Sequence, residues 1–294
     1  MAAPINAPHH PTSPLPAQSQ EKPGLDSQMT PRPQYKAPQY RGSGKLEGKV
    51  ALITGGDSGI GRSVAVLYAR EGANVAIVYL PAEQPDADDV QRDVAAEGRE
   101  ALLIPGDLTD PEFCKHAVEA TVKRFGQLDI LVNNAAYQDT RDRLEDISDD
   151  DWDLTFRTNI YGYFRVTKAA LPHMKAGSAI INSGSITGFE GNKTLIDYAS
   201  TKGAIHAFTK SLAQNLADRH IRVKCVAPGP IWTPLQPVSK PAQQVAEHGQ
   251  DTPMKRPGQP EEVAPAFVFF ASEADSSYIS GEVLTVLGGE TRAG

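Results

Sequence analysis

The sequence predicts an α/β protein with a single domain, residues 46–294, that contains a doubly wound parallel sheet and follows a proline-rich N-terminal arm, residues 1–45. Two observations predict the sheet. From Lys49 onward, short apolar runs alternate with amphipathic stretches of helical length, and a glycine-rich turn directly follows the first run. A change of composition near residue 45 predicts the arm.

The predicted strands are short, rich in β-branched side chains and apolar on both faces, as buried parallel strands are. They are Val50–Ile53, Val75–Tyr79, Ala101–Ile104, Ile130–Val132, Ala179–Ile181, Val223–Val226 and Val283–Val286. Helical stretches lie between them, among them Ile60–Glu71, Pro111–Phe125 and Asp149–Lys175. Because strand alternates with helix, we expect one parallel sheet covered on both faces. Right-handed crossovers then place the functional site at the carboxyl ends of the strands.

The first 45 residues differ from the rest, because nine prolines fall between Pro4 and Pro38 and apolar residues recur at no regular period. Such a segment cannot bury enough apolar surface to offset the entropy of ordering it, so we expect an extended or partly disordered arm. We expect residues 1–20 to be mobile and the part from about residue 25 to lie on the body or on a neighbouring subunit. Its large apolar anchors are Leu25, Met29, Tyr35 and Tyr40.

Composition excludes several classes of function. The net charge of −7 argues against a nucleic-acid partner, which requires a basic face. No run of 18 apolar residues occurs, and the N-terminus lacks a signal-peptide pattern, so we expect a cytoplasmic protein without a membrane span. Cys114 and Cys225 fit no metal-ligand or redox spacing and are interpreted as ordinary buried thiols, and no metal site is expected.

The glycine-rich turn has the sequence Thr54-Gly55-Gly56-Asp57-Ser58-Gly59-Ile60-Gly61. Gly55 permits the sharp turn out of the strand, Gly59 lets the backbone approach a pyrophosphate, and Gly61 lets helix and strand pack closely. The helix N-terminus offers free N–H groups and a partial positive charge to that phosphate. The turn therefore predicts a Rossmann-type dinucleotide site, with an ordinary glycine-rich turn as the alternative.

With the motifs that follow it, this turn resembles the short-chain dehydrogenase/reductase family over about residues 46–290. The further motifs occur in the family's order: Asp107, Asn133-Asn134-Ala135, Asn159, Ser185, Tyr198-x-x-x-Lys202 and Pro228-Gly229. One departure is Ala136, where the family usually has glycine. The resemblance implies an oxidoreductase that transfers a hydride between NAD or NADP and a carbonyl or alcohol group.

The resemblance also implies roles for single residues. Asp107 would hold the adenine edge, and Asn133 would order the strands beneath the nicotinamide ribose. Ile231 and Thr233 would meet the carboxamide. The full predicted set of cofactor-binding residues is Gly55, Ser58, Gly59, Ile60, Gly61, Tyr79, Asp107, Leu108, Asn133, Tyr198, Lys202, Pro228, Gly229, Ile231 and Thr233.

The sequence leaves the choice of nicotinamide open and favours NAD slightly. An acid at the end of the second strand would bind the ribose 2′-OH, whereas an arginine there would favour a 2′-phosphate. The sequence has Tyr79-Leu80-Pro81 at this point and an uncharged Ser58 in the turn. A run of acids just beyond would repel a 2′-phosphate: Glu83, Asp86, Asp88 and Asp89.

Tyr198, Lys202 and Ser185 are the predicted catalytic centre. Tyr198 and Lys202 are four residues apart in a helical stretch and therefore share one face. A phenol has an ordinary pKa of about 10, and we expect the Lys202 ammonium to lower the pKa of Tyr198 by roughly one to three units. Tyr198 would then act as general acid or base, and Ser185 would donate to the substrate oxygen. Asn159 would anchor a water that passes protons to Lys202.

On the substrate side, prolines break the pattern between Trp232 and Pro260, and pocket-lining candidates are Trp232, Leu235, Gln236 and Met254. Further motifs resemble a narrower branch of glucose- and ribitol-dehydrogenase homologues and general stress proteins. Aldehydes, sugars and polyols stay open as small-molecule substrates. The acidic stretch 142–153 argues against an acyl-carrier-protein substrate, because that partner is also acidic. The family implies a homotetramer. The alternative function is a cofactor-binding stress or regulatory protein with little turnover.

Overall fold

The computed structural model describes residues 10–291, in which seven strands form one parallel sheet in the order β3-β2-β1-β4-β5-β6-β7. The strands are β1 (Val50–Thr54), β2 (Asn74–Tyr79), β3 (Ala101–Pro105), β4 (Ile130–Asn133), β5 (Ala179–Ser183), β6 (Arg222–Pro228) and β7 (Val283–Val286). The chain runs outward from β1 to β3 and then returns to place β4 beside β1. The predicted doubly wound, Rossmann-type sheet is therefore confirmed, with its crevice where the strand order reverses.

Helices cover both faces of the sheet. They are α1 (Gly59–Arg70), α2 (Gln84–Ala96), α3 (Pro111–Phe125), α4 (Asp149–Phe156), α5 (Gly162–Ala170), α6 (Thr187–Glu190), α7 (Ile196–Asn215), α8 (Ala242–Ala246), α9 (Pro260–Ala271) and α10 (Glu273–Ser276). Along β1, Ala51 and Ile53 join a core with α1, α2 and α9, whereas Leu52 joins a second core with α3 and α5. Because successive residues of β1 point to cores on opposite faces of the sheet, all residues of this strand are buried, as its apolar pattern predicted.

The prediction of one continuous helix over Asp149–Lys175 is wrong in detail. The chain is helical from Asp149, but Arg157–Tyr161 form a π-helical turn between α4 and α5, and a 3₁₀ turn, Leu171–His173, ends the segment. Ser148 caps the beginning of α4 by accepting from the Asp151 N–H at 3.1 Å. A π-helical turn is a feature that proteins often place near functional sites, and no apolar periodicity announces it.

The N-terminal arm lies along the body from residue 10. Leu15 is buried against Met29, Trp232 and Val245, and the Leu15 N–H donates to the Ala246 carbonyl at 2.8 Å. Tyr35 is also buried, and its hydroxyl accepts from the Arg62 guanidinium at 2.7 Å. The prediction that residues 1–20 are mobile is therefore wrong for residues 10–20, and residues 1–9 lie outside the described residues.

Deleting residues 1–20 should lower the melting temperature, and deleting residues 1–44 should lower it further. The shorter deletion removes the buried Leu15 side chain and uncovers Trp232, while the longer one also removes Met29 and Tyr35. A loss of ~2 kcal/mol corresponds to several degrees in a protein of this size. Thermal denaturation of the full chain, both deletions and a Leu15→Ala variant measures the effect. Deletions that melt like the full chain would contradict a docked arm.

Within residues 10–291, no helix is long and apolar enough to cross a membrane. The same range contains no cluster of His, Cys, Asp or Glu side chains that could hold a metal ion. Cys114 and Cys225 are both buried free thiols, as interpreted from their spacing.

Candidate active site

The glycine-rich turn follows β1 at the crevice of the sheet. Gly55 and Gly59 adopt φ values of +62° and +50°, a backbone conformation in which a side chain would be strained. A Cβ at Gly61 would overlap the carbonyl oxygen of Gly55, so this glycine allows α1 to pack closely on the turn. Gly55 and Gly61 thus have the geometric roles expected from their spacing, and the approach of a pyrophosphate to Gly59 stays a prediction.

Three amide side chains, of which Asn133 and Asn182 are fully buried, hold the ends of β1, β4 and β5 together. Asn134 Nδ2 donates to the Gly55 carbonyl at 2.9 Å, and Asn134 Oδ1 accepts from the Ser183 hydroxyl at 2.9 Å. Asn133 Nδ2 donates to Asn182 Oδ1 at 2.9 Å, which ties β4 to β5 directly. These bonds fix the carboxyl ends of the strands, where the candidate site lies.

A single pocket of about 470 Å³ lies above these strand ends. Most of the predicted site residues line it: Gly55, Ser58, Gly59, Ile60, Tyr79, Asp107, Leu108, Ser185, Tyr198, Lys202, Pro228, Gly229, Ile231 and Thr233. Gly61, Asn133 and Asn159 lie behind the wall, where both asparagines are fully buried. The structure therefore brings the predicted cofactor and catalytic groups to one pocket and gives these three residues supporting positions.

Ser185, Tyr198 and Lys202 meet at one end of the pocket. The Ser185 side chain lies close enough to the Tyr198 phenol to lower its pKa. Lys202 Nζ lies 5.3 Å from the centre of the Tyr198 ring and donates to the Ser183 carbonyl at 2.7 Å. Because Tyr198 and Lys202 occupy successive turns of α7, the helix presents both groups to the same end of the pocket.

Burial dominates the acid–base properties of this pair. It raises the pKa of the Tyr198 phenol to about 12, and the nearby Ser185 side chain opposes that rise. It also lowers the pKa of the Lys202 ammonium to about 8. The expectation that Lys202 brings the Tyr198 pKa down toward neutrality is therefore wrong for the chain alone, because loss of water raises that pKa and only Ser185 opposes the rise. Tyr198 is a neutral phenol, and hence a proton donor, at neutral pH.

Thr187 fixes the direction in which Ser185 donates. The Thr187 backbone N–H donates to Ser185 Oγ at 3.2 Å, and the Thr187 hydroxyl donates to the same oxygen at 3.0 Å. Both lone pairs of the Ser185 oxygen are thereby engaged, so its own proton is free to point at another oxygen. The arrangement suits a hydrogen bond to a substrate oxygen that gains negative charge.

The side chain of Asn159 supports the pocket wall rather than facing the pocket. Its Oδ1 accepts from the Tyr137 N–H at 2.7 Å, and its Nδ2 donates to the Tyr137 carbonyl at 2.9 Å and to the Thr201 hydroxyl at 3.0 Å. Asn159 thus holds Tyr137, which lines the pocket, and anchors α7 one residue before Lys202. It lies in the π-helical turn. The water relay to Lys202 stays a prediction.

Two carboxyl groups, those of Asp57 and Glu83, also line the pocket, close enough for the charge of Glu83 to act on Asp57. Asp57 is buried, its Oδ2 has no hydrogen-bond partner within residues 10–291, and burial and the neighbouring Glu83 raise the pKa of its carboxyl group. Burial likewise raises the pKa of Glu83 to about 7. Glu83 was expected near the cofactor as one of a run of acids. Asp57 was not predicted as a site residue, although it lies within the glycine-rich turn itself.

These observations fit a dinucleotide. The positive-φ glycines form a cradle that a Cβ would fill, and the first turn of α1 lines the pocket at Gly59 and Ile60. Asp57 also lines the pocket, and a carboxylate can accept a hydrogen bond from a ribose hydroxyl. In a dinucleotide bound as the family resemblance implies, Asp57, Asp107 and Leu108 would hold one end and Lys202 and Ile231 the other, and all five residues line the pocket.

Known proteins are similar to this chain in both sequence and fold. The family described as enoyl-(acyl carrier protein) reductase matches residues 55–291. General stress protein 39 of Bacillus subtilis is 54% identical over 276 residues, which cover 94% of this chain and 96% of that protein. NADPH-dependent aldehyde reductase 1, chloroplastic, of Arabidopsis thaliana is 48% identical, with coverage of 91% and 95%. Glucose and ribitol dehydrogenase of Daucus carota is 47% identical, with coverage of 94% and 96%.

Solved structures give the same result. A short chain dehydrogenase from Burkholderia cenocepacia in complex with NADP has a TM-score of 0.77 at 33% identity, covering 83% of this chain and 98% of its own. The NADH-dependent reductase A1-R′ complexed with NAD has a TM-score of 0.73 at 33% identity, covering 84% and 98%. The chain therefore belongs to the short-chain dehydrogenase/reductase family of oxidoreductases.

Proposed function

We propose that the protein is an NAD(P)-dependent reductase of small aldehydes or ketones, and that Tyr198 protonates the substrate oxygen. The observation that carries the proposal is the meeting of Ser185, Tyr198 and Lys202 in the pocket that the glycine-rich turn also lines. When bound, the reduced nicotinamide supplies the hydride. Support also comes from relatives named as an aldehyde reductase and as a glucose and ribitol dehydrogenase.

In this proposal the chain's own residues bind and protonate the substrate. Ser185 donates a hydrogen bond to the carbonyl oxygen, and the neutral Tyr198 phenol gives its proton to that oxygen as negative charge develops there. With its raised pKa, Tyr198 carries its proton near neutral pH, which is the form that reduction of a carbonyl group requires. Lys202, placed beside Tyr198, stabilises that phenolate after the proton has left.

The proposal is tested by following absorbance at 340 nm with aldehydes, ketones, sugars and polyols, each with both cofactors. Reduction of at least one carbonyl class with saturation kinetics supports it. Cofactor binding without turnover across the whole panel would instead favour the binding or regulatory alternative, which the name of General stress protein 39 leaves open. We do not propose an acyl-carrier-protein substrate, although the family's description names that carrier. Residues 142–153 are strongly acidic and would repel a carrier that is also acidic.

For the cofactor, we propose a preference for NAD over NADP. Asp57 and Glu83 line the pocket, and the raised pKa values of both carboxyl groups indicate that negative charge is already disfavoured there. A ribose 2′-phosphate would add further negative charge, whereas a ribose 2′-hydroxyl would not. Relatives do not decide the matter, since the Arabidopsis reductase is named for NADPH and A1-R′ for NADH.

Fluorescence titration should give a Kd for NADH at least about tenfold below that for NADPH, a difference of ~1.4 kcal/mol. The double variant Asp57→Asn, Glu83→Gln should lose most of this difference, because it keeps the volume and removes the charges. Glu112→Gln, an exposed acid in the first turn of α3, is the control and should keep it. Equal or tighter binding of NADPH by the unaltered protein would overturn the assignment.

We also propose that the protein is a homotetramer and that it is located in the cytoplasm. Half-exposed aromatic side chains, Tyr161 and Phe164, lie on the helical segment that pairs across a two-fold axis in the family, and Tyr278 is fully exposed beside β7. On α7, which also pairs across that axis in the family, we expected apolar Ala204, Ile205, Phe208 and Leu212 to face a partner, but Ile205 is fully buried within the subunit. Light scattering should give four times the chain mass of 31.6 kDa. A mass of one subunit at micromolar concentration would contradict the tetramer.

A further inference from the structure

We propose that the N-terminal arm completes the substrate pocket, and that Lys22 of the arm and Gln236 form a subsite for a hydroxyl group of a neutral substrate. The inference rests on the proposed carbonyl reductase function. It identifies two specificity-determining residues and narrows the substrate class to hydroxylated carbonyl compounds.

The arm is fixed beside the substrate side of the pocket on both sides of Lys22. Before it, the Gln20 N–H donates to the Pro237 carbonyl at 3.0 Å. After it, Gly24 packs so closely that a Cβ there would lie 2.5 Å from Val238 Cγ1. Lys22 and Pro23 line the same pocket as Tyr198. Lys22 is therefore held at the pocket by backbone contacts that flank it.

The Lys22 ammonium has a defined position. Its Nζ donates to the Tyr137 hydroxyl at 2.9 Å and to Asp139 Oδ2 at 2.8 Å, and it lies 4.4 Å from the centre of the Tyr137 ring. Tyr137 is itself held at both its N–H and its carbonyl by Asn159. An ammonium has three donors, so the third N–H of Lys22 can serve a substrate oxygen.

The charges around Lys22 are balanced. Asp139 Oδ2 also pairs with Arg141 at 2.8 Å, and Arg141 pairs with Asp151 at 3.4 Å. Two cations and two carboxylates therefore form one network. Such a network offers a directed donor without a net positive charge, so it favours a neutral polar group over a carboxylate or a phosphate.

Gln236 supplies a complementary acceptor from the substrate side. Its side chain lines the pocket and is 9% exposed, and its Oε1 is buried without a hydrogen-bond partner within residues 10–291. Leaving such an oxygen unpaired is costly. A half-turn of the carboxamide about its last bond, which exchanges Oε1 and Nε2 at almost unchanged shape, would present the oxygen to a substrate hydroxyl in the pocket. A hydroxyl group both donates and accepts, so it can receive from Lys22 and donate to Gln236. The pocket therefore matches a carbonyl compound that bears a hydroxyl group close to the reacting carbon.

The test compares glyceraldehyde with propanal, two three-carbon aldehydes that differ in their hydroxyl groups. The unaltered protein should show a kcat/KM for glyceraldehyde at least about thirtyfold above that for propanal, because a site built for a hydroxyl discriminates strongly against its absence. Lys22→Met keeps the aliphatic stem, and Gln236→Leu keeps most of the volume. Each should reduce the ratio at least tenfold, mainly through the KM of glyceraldehyde.

Lys36→Met is the matched control, because Lys36 is another arm lysine with an ion partner, Asp93, on the surface. It should leave the ratio unchanged. A ratio near one in the unaltered protein, or wild-type ratios in both pocket variants, would overturn the subsite while leaving the reductase function intact. Turnover of no carbonyl compound at all would overturn the proposed function and the subsite together. The two variants lie in different segments, so each tests the subsite if the other fails to fold.

Discussion

Tyr198→Phe should reduce turnover to less than a hundredth of the unaltered rate while leaving cofactor affinity within a few-fold. Phenylalanine keeps the buried ring, since Tyr198 is only 8% exposed, and removes only the hydroxyl that lies beside Ser185. General acid catalysis contributes typically ~10²–10⁴-fold, and the lost proton donor has no substitute of similar acidity in this position. Steady-state rates at 340 nm and a fluorescence titration of the cofactor measure the two quantities separately.

Tyr163→Phe is a suitable control for this variant. Tyr163 is also a buried tyrosine near Lys202, and its hydroxyl lies 3.5 Å from the Ser183 carbonyl rather than at the pocket. It should keep more than a tenth of the activity. Turnover of Tyr198→Phe above a hundredth of the unaltered rate would contradict the role assigned to Tyr198.

Lys202→Met should lower turnover and weaken cofactor binding together. The fully buried ammonium donates to the Ser183 carbonyl and lies beside Tyr198, at the end of the pocket assigned to the nicotinamide ribose. Removing it takes away a charged donor to a ribose hydroxyl and the cation that stabilises the Tyr198 phenolate. Hydrogen bonds to charged groups contribute about 1.5–3 kcal/mol, so we expect cofactor affinity to fall roughly tenfold or more.

The control for Lys202→Met lies on the same helix. Lys210 is an exposed lysine of α7, and Lys210→Met should leave both quantities unchanged. Wild-type cofactor affinity in Lys202→Met would show that the proposed ribose contact is wrong, even if turnover fell. The folded state of each variant is checked by its melting temperature.

The sequence predicted the sheet well because local patterns determine it. Each strand was placed within two residues at either end, since a buried parallel strand is a continuous apolar run. The glycine-rich turn followed from its residues and their spacing, and the group of Ser185, Tyr198 and Lys202 followed from the resemblance to the family. The doubly wound sheet then brings these residues together, because the loops that follow the parallel strands β1, β4, β5 and β6 all lie at the same edge of the sheet.

Features that depend on long-range packing could not be predicted. Leu15 is anchored by Trp232, which lies 217 positions later in the chain, and no local period indicates this contact. The pocket position of Lys22 depends on the same docking. The pKa of Tyr198 depends on how completely the fold removes its phenol from water, which the four-residue spacing to Lys202 does not reveal.

The central claim is that this pocket transfers a hydride to a carbonyl carbon while Tyr198 supplies the proton. The most direct test is to reduce glyceraldehyde with cofactor that carries deuterium at both nicotinamide C4 positions and to analyse the product by mass spectrometry. We predict one non-exchangeable deuterium on the carbon of the new alcohol, and no product above a hundredth of that amount with Tyr198→Phe. Product without deuterium at that carbon, or full product formation by Tyr198→Phe, would contradict the account.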